Sequence, residues 1–332
     1  MEKRQLGDTD LELTVIGLGT WAIGGGDWAM GWGPQDERDS VEAILEAFEK
    51  GINWIDTAAA YGFGRSEEAV GKAMKEWGEP IIIATKCGVL PAEKGQAVRH
   101  ISRGTILKEV DASLKRLQVG CIDLYQIHWP VPDENIEEAF QTLLYLKEQG
   151  KIKWAGVSNF SVEQLERISR SGSASSLQPP YSLLERGIEN EILPWCRNSN
   201  TGVITYSPMQ NGLLTGKVDA QWVNKLPEND WRKRQREDPR MRYVREPFLT
   251  PFIHFIDALK NVAVQSDHTV AQLAVSWVLS REGITAAIVG ARKKGQISET
   301  AKACDWMLRD EELREIEAAY VDFQGAIVAA EN

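Results

Sequence analysis

Residues 52–61 read INWIDTAAAY. A short apolar run ends in an acid, Asp56, and five residues on a lone Tyr61 follows three alanines. INWID is apolar almost throughout rather than alternating, the pattern of a strand covered on both faces, as in a parallel sheet. The stretch after it has helical spacing over about 65–76, and the pairing of strand and helix recurs downstream. PIIIATK (80–86) leads to a helix near 104–118, IDLYQIHW (122–129) to one near 134–148, and KIKWAGVSN (151–159) to one at about 161–170. SSLQPPYS (175–182) precedes a helix near 187–197, and TGVITYSP (201–208) follows. ITAAIVG (284–290) is the last strand, after helices around 248–264 and 268–280.

Upstream, KRQL, a GDTD turn and LELTVIGLG suggest a small hairpin, followed by a Gly-rich loop. Residues 37–50 then place Val41, Ile44, Leu45 and Phe48 on one helix face. Counted from INWID, roughly eight βα units fit, so the expected fold is α/β, a closed (β/α)8 barrel. An open doubly wound sheet of that many strands would leave edges that closure removes. No linker or internal repeat divides the chain, and residues 1–332 are expected to form one barrel domain.

One segment breaks the rhythm. Residues 218–247 are polar, charged and poorly periodic. They read either as a solvated surface loop or as part of a longer loop, about 207–247, that folds over a ligand at the active face of the barrel.

The bulk composition narrows the classes. The 332 residues are 43% apolar and 26% charged, with a formal charge of −10, which argues against broad nucleic-acid or membrane-surface binding. No window approaches a membrane span, and MEKRQLGDTD lacks the apolar core of a secretory signal. Cys87, Cys121, Cys196 and Cys304 form no CxxC pair and fit a reducing compartment, with the cytoplasm as the default. The histidines, at 100, 128, 254 and 268, have no metal-binding spacing, so no metal is expected.

Several polar residues fall at strand ends, which converge on the mouth of a barrel. Asp56, Lys86, His128, Ser158, Asn159, Gln178 and Tyr206 all occupy such positions. Singly each has a bland reading: Asp56 as a helix cap, Lys86 as a snorkelling side chain, His128 as a satisfied core-edge residue. Together Asp56, Tyr61, Lys86 and His128 form a set that handles protons. A phenol with a pKa near ~10 needs a neighbouring ammonium to stabilise its anion, and a carboxylate would hold that ammonium in place. The set suits reduction of a carbonyl, in which hydride reaches carbon while an acid protonates oxygen. No side chain supplies hydride, so a cofactor is required.

GLGTWA (17–22) fits G-x-G-x-x-A, but a loop follows it rather than the helix that a dinucleotide fingerprint must open. Gly24, Gly25 and Gly26 suit close passage beside a pocket. VGARKKGQISE (289–299) reads as a strand, a turn, a basic cluster and a helix start, either a phosphate site or a solvated loop.

GLGTW (17–21), IDTAAAYGFGRSEEAVG (55–71), ATK (84–86), IDLYQIHWP (122–130) and GVSNF (156–160) then occur in order, followed by YSPMQNGLLTGK (206–217) and GARKKGQISE (290–299). In this ordered combination the chain resembles the aldo-keto reductases along nearly its whole length, and most of all the bacterial general-stress-type reductases. The resemblance implies a (β/α)8 barrel that binds NADP(H) without a Rossmann domain. It implies a catalytic tetrad of Asp56, Tyr61, Lys86 and His128, with Tyr61 as proton donor. Gly19, Thr20, Trp21 and Asp56 would touch the cofactor; Ser158, Asn159 and Gln178 would hold its carboxamide, and Tyr206 would stack on the nicotinamide. Ser207, Pro208, Met209, Gly212, Leu213 and Lys217 would line the pyrophosphate path. Gly290, Arg292, Gln296, Glu299 and Thr300 would meet the adenosine end, where Thr300 replaces an Asn found in many relatives. Lys293 and Lys294 beside Arg292 favour NADP(H) over NAD(H). Trp21, Trp28, Trp32, Phe63 and Trp129 would wall a pocket for a small carbonyl or alcohol. The expected activity is reversible reduction of aldehydes or ketones; the alternative is a nucleotide-sensing regulatory or binding subunit with little turnover. Monomer and homo-oligomer both fit the sequence.

Overall fold

The computed structural model describes residues 1–219, 221–235 and 237–331. The expected 1–332 unit and its 207–247 loop thus include positions 220, 236 and 332, which lie outside the described residues. In chain order, an antiparallel hairpin of β1 (Lys3–Gln5) and β2 (Glu12–Thr14) precedes β3 (Ile16–Gly19), β4 (Trp54–Asp56) and β5 (Ile82–Cys87). A second antiparallel hairpin, β6 (Val89–Pro91) and β7 (Ala97–Arg99), follows. Then come β8 (Ile122–Ile127), β9 (Ile152–Ser158), β10 (Ser176–Gln178), β11 (Gly202–Tyr206) and β12 (Ala286–Gly290). Strands β3, β4, β5, β8, β9, β10, β11 and β12 close, all parallel, into one barrel, with β12 beside β3 and β9 beside β10.

The helices lie between them: α1 (Glu37–Glu49), α2 (Arg65–Trp77), α3 (Arg103–Leu117), α4 (Ile136–Glu148), α5 (Val162–Ser169) and α6 (Ile192–Asn198). A short turn α7 (Trp231–Arg234), α8 (Leu249–Gln265), α9 (Val270–Leu279), α10 (Gln296–Ala301) and α11 (Asp310–Glu331) complete the chain. Their starts are written locally. Asp36 accepts the Arg38 and Asp39 amides ahead of α1, and Ser161–Gln164 and Thr269–Gln272 form capping boxes on α5 and α9.

Three expectations are corrected here. LELTVIGLG is not one hairpin arm: Glu12–Thr14 turns back on β1, while Ile16–Gly19 enters the barrel between β4 and β12. Counting from INWID therefore yields seven barrel strands, and the eighth lies upstream of it. The helix expected over 187–197 is confined to Ile192–Asn198, and the SSLQPPYS strand stops at Gln178, where two prolines remove ladder donors.

The first hairpin closes the bottom of the barrel. Leu6, Leu11 and Leu13 pack with Trp54, Ala84, Leu124, Ile204, Ala286 and Ile288 in the barrel interior. Trp54 is fully buried and its indole N–H donates to the Thr14 carbonyl at 2.8 Å, so one side chain both fills the interior and fastens the plug. Trp54→Ala should cost about 3–5 kcal/mol, as large-to-small changes in close-packed cores do. A urea denaturation midpoint unchanged from wild type would show that the hairpin does not depend on this ring.

Candidate active site

The C-terminal strand ends bring the expected polar residues into one network. The Lys86 ammonium on β5 donates to Asp56 Oδ1 at 2.6 Å, to the Thr57 carbonyl at 3.0 Å and to the Tyr61 hydroxyl at 3.3 Å. Asp56 Oδ2 accepts from Gln178 Nε2 at 2.8 Å. Both carboxylate oxygens are thereby engaged inside the barrel mouth. α2 starts beyond Gly64 with no side-chain cap, so Asp56 is not a helix cap. The network continues through Ser158 Oγ, which donates to the Gln178 carbonyl at 2.7 Å. Asn159 donates to Ser158 Oγ at 3.0 Å and to the His128 carbonyl at 2.9 Å, and accepts from the Tyr206 hydroxyl at 2.9 Å.

Tyr61 reaches this group because its loop can pass close to the loop after β3. A Cβ on Gly24 would lie 2.7 Å from the Tyr61 carbonyl carbon, and Gly62 has φ +61° with Gly24 against it. Two glycines facing each other let the backbone of the tyrosine loop approach. Of the three alanines between Asp56 and Tyr61, Ala58 and Ala60 are buried and Ala59 is partly exposed. The His128 ring meets Tyr61 edge-on at 5.8 Å, and its Nδ1 is buried without a hydrogen-bond partner.

Burial dominates the electrostatics. It pushes the Asp56 carboxyl up, opposed by Lys86, and pushes the Lys86 ammonium down, opposed by Asp56. Burial, reinforced by the Asp56 charge, holds the Tyr61 phenol well above its ordinary value, while burial and the charges of Lys86 and Arg99 hold His128 well below its own. At neutral pH Tyr61 therefore carries its proton, as a proton donor must, and His128 is a neutral imidazole.

Tyr61, Asp56 and His128 open onto a cavity of about 1500 Å³, well above the ~300–1,000 Å³ that holds a drug-sized ligand. Of the residues expected in the site, Gly19, Thr20, Trp21, Trp28, Trp32, Trp129, Ser158, Asn159, Gln178, Tyr206, Ser207, Pro208, Met209, Gly212, Lys217, Gly290, Arg292, Gln296, Glu299 and Thr300 also line it. Three do not. Lys86 stands behind Asp56 and Tyr61, Leu213 is fully buried in the core, and Phe63 packs behind Trp28 at 5.8 Å between ring centres.

Periodicity missed one contributor and left a second undecided. The β6–β7 hairpin, too short and exposed for a core pattern, brings Val89, Gln96, Ala97, Val98 and Arg99 to the mouth. The polar segment 218–247 brings Arg232, Gln235 and Arg240. It is no solvated loop: Trp231 is fully buried and stacks on Trp21 at 5.8 Å, and Asp230 and Arg232 form a buried pair at 2.7 Å. Arg234 and Gln235 donate to the Trp28 and Ala29 carbonyls, and Arg232 to that of Asn211, so the segment straps the loop after β3 to the loop after β11. The sequence signal was present in DWRKR, where an aromatic and an acid sit among the cations.

At the far end the basic cluster is largely engaged. Arg292 donates to the Trp32 and Pro34 carbonyls and to Gln35, and the Arg292 and Lys293 amides donate to Gln296 Oε1. Glu46, reaching from α1, accepts from the Gly295 amide and from Ser298 Oγ, each at 2.6 Å. Lys294 and, nearer β11, Lys217 line the cavity with no hydrogen-bond or ion-pair partner among the described residues. Two free ammonium groups along an elongated cavity fit a ligand with separated phosphates. Among the described residues no cluster of His, Cys, Asp and Glu could hold a metal ion.

The model of the aldo/keto reductase family matches residues 15–321. Aldo-keto reductase YhdN of Bacillus subtilis (strain 168) is 40% identical over 95% of this chain and 92% of its own. The NADH-specific methylglyoxal reductase of Escherichia coli (strain K12) is 34% identical over 93% of this chain and 95% of its own. The solved structure of glycerol dehydrogenase AKR11B4 from Gluconobacter oxydans superposes with a TM-score of 0.85 at 37% identity, covering 96% of this chain and 94% of that one.

The state of His128 is measurable. Imidazole ¹⁵N shifts should report a neutral ring at pH 6, and Lys86→Met should raise its pKa by removing a neighbouring positive charge. An imidazolium at pH 6 in the wild type would contradict a burial-dominated site.

Proposed function

The chain belongs to the aldo/keto reductase family, and from that premise we propose that it interconverts small aldehydes or ketones with alcohols, Tyr61 giving the proton to the carbonyl oxygen. The observation that carries this reading is the Tyr61 hydroxyl in contact with a buried ammonium at the floor of the cavity. A bound nicotinamide supplies the hydride, which no side chain here can. As negative charge grows on the carbonyl oxygen, Tyr61 releases its proton, and Lys86, 3.3 Å away, meets the phenolate that forms. Asp56 keeps Lys86 charged and aimed. Neutral His128 offers a hydrogen bond that orients the carbonyl without competing as an acid.

Ser158, Asn159 and Gln178 would hold the carboxamide of the dinucleotide, Tyr206 its ring, and Lys217 with the 207–213 backbone its pyrophosphate. The adenosine end would meet Arg292, Gln296, Glu299 and Thr300, and the strap of 207–247 would cover the path. Residues 1–332 would work as one unit of the bacterial general-stress-type subgroup, a reading that the bacterial relatives support. Four free cysteines fit a reducing compartment such as the cytoplasm. NADP(H) is the favoured cofactor because Lys294 stands free at the adenosine end. The E. coli relative, named NADH-specific, makes the choice one for measurement.

Tyr61→Phe should keep NADPH binding, read by protein fluorescence, and lose about 10²-fold or more of aldehyde turnover, the scale of general acid catalysis. Full turnover in that variant would remove Tyr61 from the mechanism. Wild-type protein that binds nucleotide tightly but turns over no carbonyl would favour the nucleotide-sensing subunit instead.

For the cofactor, dissociation constants of NADPH and NADH should separate two neighbours. Lys294→Ala should weaken NADPH about 10-fold more than NADH, the scale of one charge-assisted hydrogen bond. Arg292→Ala should weaken both alike, because its guanidinium holds the Trp32 and Pro34 carbonyls. Equal effects of Lys294→Ala on the two nucleotides would move the phosphate contact elsewhere.

A further inference from the structure

Six cationic side chains line the cavity: Arg99, Lys217, Arg232, Arg240, Arg292 and Lys294. Arg232 is paired with Asp230 and Arg240 with Asp238, and Arg292 is held by carbonyls. Lys217 and Lys294 follow β11 and β12 and belong to the dinucleotide path already described. Arg99 is different. It lies on the hairpin after β5, in the sector of the mouth that also holds His128 and Trp129, which follow the adjacent strand β8. Among the described residues it has no carboxylate or hydrogen-bond partner, and its guanidinium sits over the Trp129 ring at 4.1 Å.

The arrangement is held rather than loose. Arg99 pairs with Val89 across the hairpin, the His100 amide donates to the Gly88 carbonyl at 3.0 Å, and the hairpin tip accepts the Ala29 amide at 2.9 Å through the Gly95 carbonyl. Stacking on an indole restrains a planar guanidinium and leaves its edge donors free, the form that grips a carboxylate or phosphate through two parallel hydrogen bonds. Its charge reaches the chemistry, since Arg99 contributes to holding His128 neutral. Arg240, itself paired with Asp238, is a second positive charge acting on Arg99, while Glu185, which also lines the cavity, makes no ion pair with Arg99 and has its carboxyl pushed up by burial.

Building on the reductase reading, we propose that Arg99 is a specificity residue that recognises an anionic group on the substrate, so that the preferred substrates are carbonyl compounds carrying a carboxylate or phosphate. The anion lies against Arg99 above Trp129 while the carbonyl oxygen faces Tyr61 and His128. Exposed Val98 and Val131 at the same mouth give the carbon chain between the two groups an apolar flank.

The test compares succinic semialdehyde with butanal, equal in carbon count and different in charge, in wild type, Arg99→Met and Arg99→Lys. The wild type should favour the anionic aldehyde by about 10-fold or more in kcat/KM, the scale of a charge-assisted contact, mainly through KM. Arg99→Met should bring the ratio close to one, and Arg99→Lys, which keeps charge without the fork, should restore part of it. A wild-type ratio near one, or a ratio untouched in Arg99→Met, overturns the proposal. Glyceraldehyde 3-phosphate against glyceraldehyde repeats the comparison for a phosphate. If neither member of any pair is turned over, the reductase reading fails. Quenching of tryptophan fluorescence by succinate then decides on Arg99 alone: lost in Arg99→Met it supports the anion site, retained it refutes it.

Discussion

The polar interior of the mouth depends on one ion pair, Lys86 with Asp56, whose side chains are 0% and 3% exposed. Removing two charges from water costs several kcal/mol per ion, and a pair repays that only where further hydrogen bonds complete each group. Here the Thr57 carbonyl and Gln178 complete them. From Gln178 the contacts run to Ser158, Asn159, Tyr206 and the His128 backbone, so the ends of six barrel strands are joined through one charge pair. Barrel closure brings the two charges together, and the pair in turn fixes which polar atoms face the cavity.

The fold was legible because parallel strands buried on both faces leave short apolar runs, and the helices between them have clear periods and caps. The miscount came from β3, whose four residues join an antiparallel arm without a break in apolar pattern. Pairing partner, not composition, distinguishes the two, and sequence spacing does not carry pairing partners. Asp56, Lys86 and His128 were readable for the opposite reason: each is a polar residue at the end of an apolar strand, an energetically costly placement that stands out, whereas Tyr61, on the loop beyond β4, was legible only beside them. Segment 218–247 was harder, because its buried members, Asp230, Trp231 and Arg232 among them, are scattered between exposed charges. Phe63 and Leu213 show the limit in reverse. Proximity in sequence to a pocket residue says nothing of which way the backbone turns, and Phe63, at φ +54°, turns its ring to the back of Trp28.

Charge is distributed against the average. The chain carries a formal −10, yet six cations and three carboxylates, Asp56, Glu185 and Glu299, line the cavity. A cleft with low-dielectric walls concentrates the field of such groups, so an acidic exterior and an anion-attracting interior coexist without conflict. A net charge of −10 argues against broad nucleic-acid or membrane-surface binding and leaves room for a local basic pocket that takes a small anion.

The plug formed by Leu6, Leu11, Leu13 and Trp54 leaves the barrel with one open end. Whatever enters must leave by the same opening, past the β6–β7 hairpin and the strap. Traffic would then be sequential rather than through-flowing, with a molecule near the floor leaving only after anything seated above it. On the reductase reading, selection at the rim would thus act twice in each cycle, on admission and again on exit.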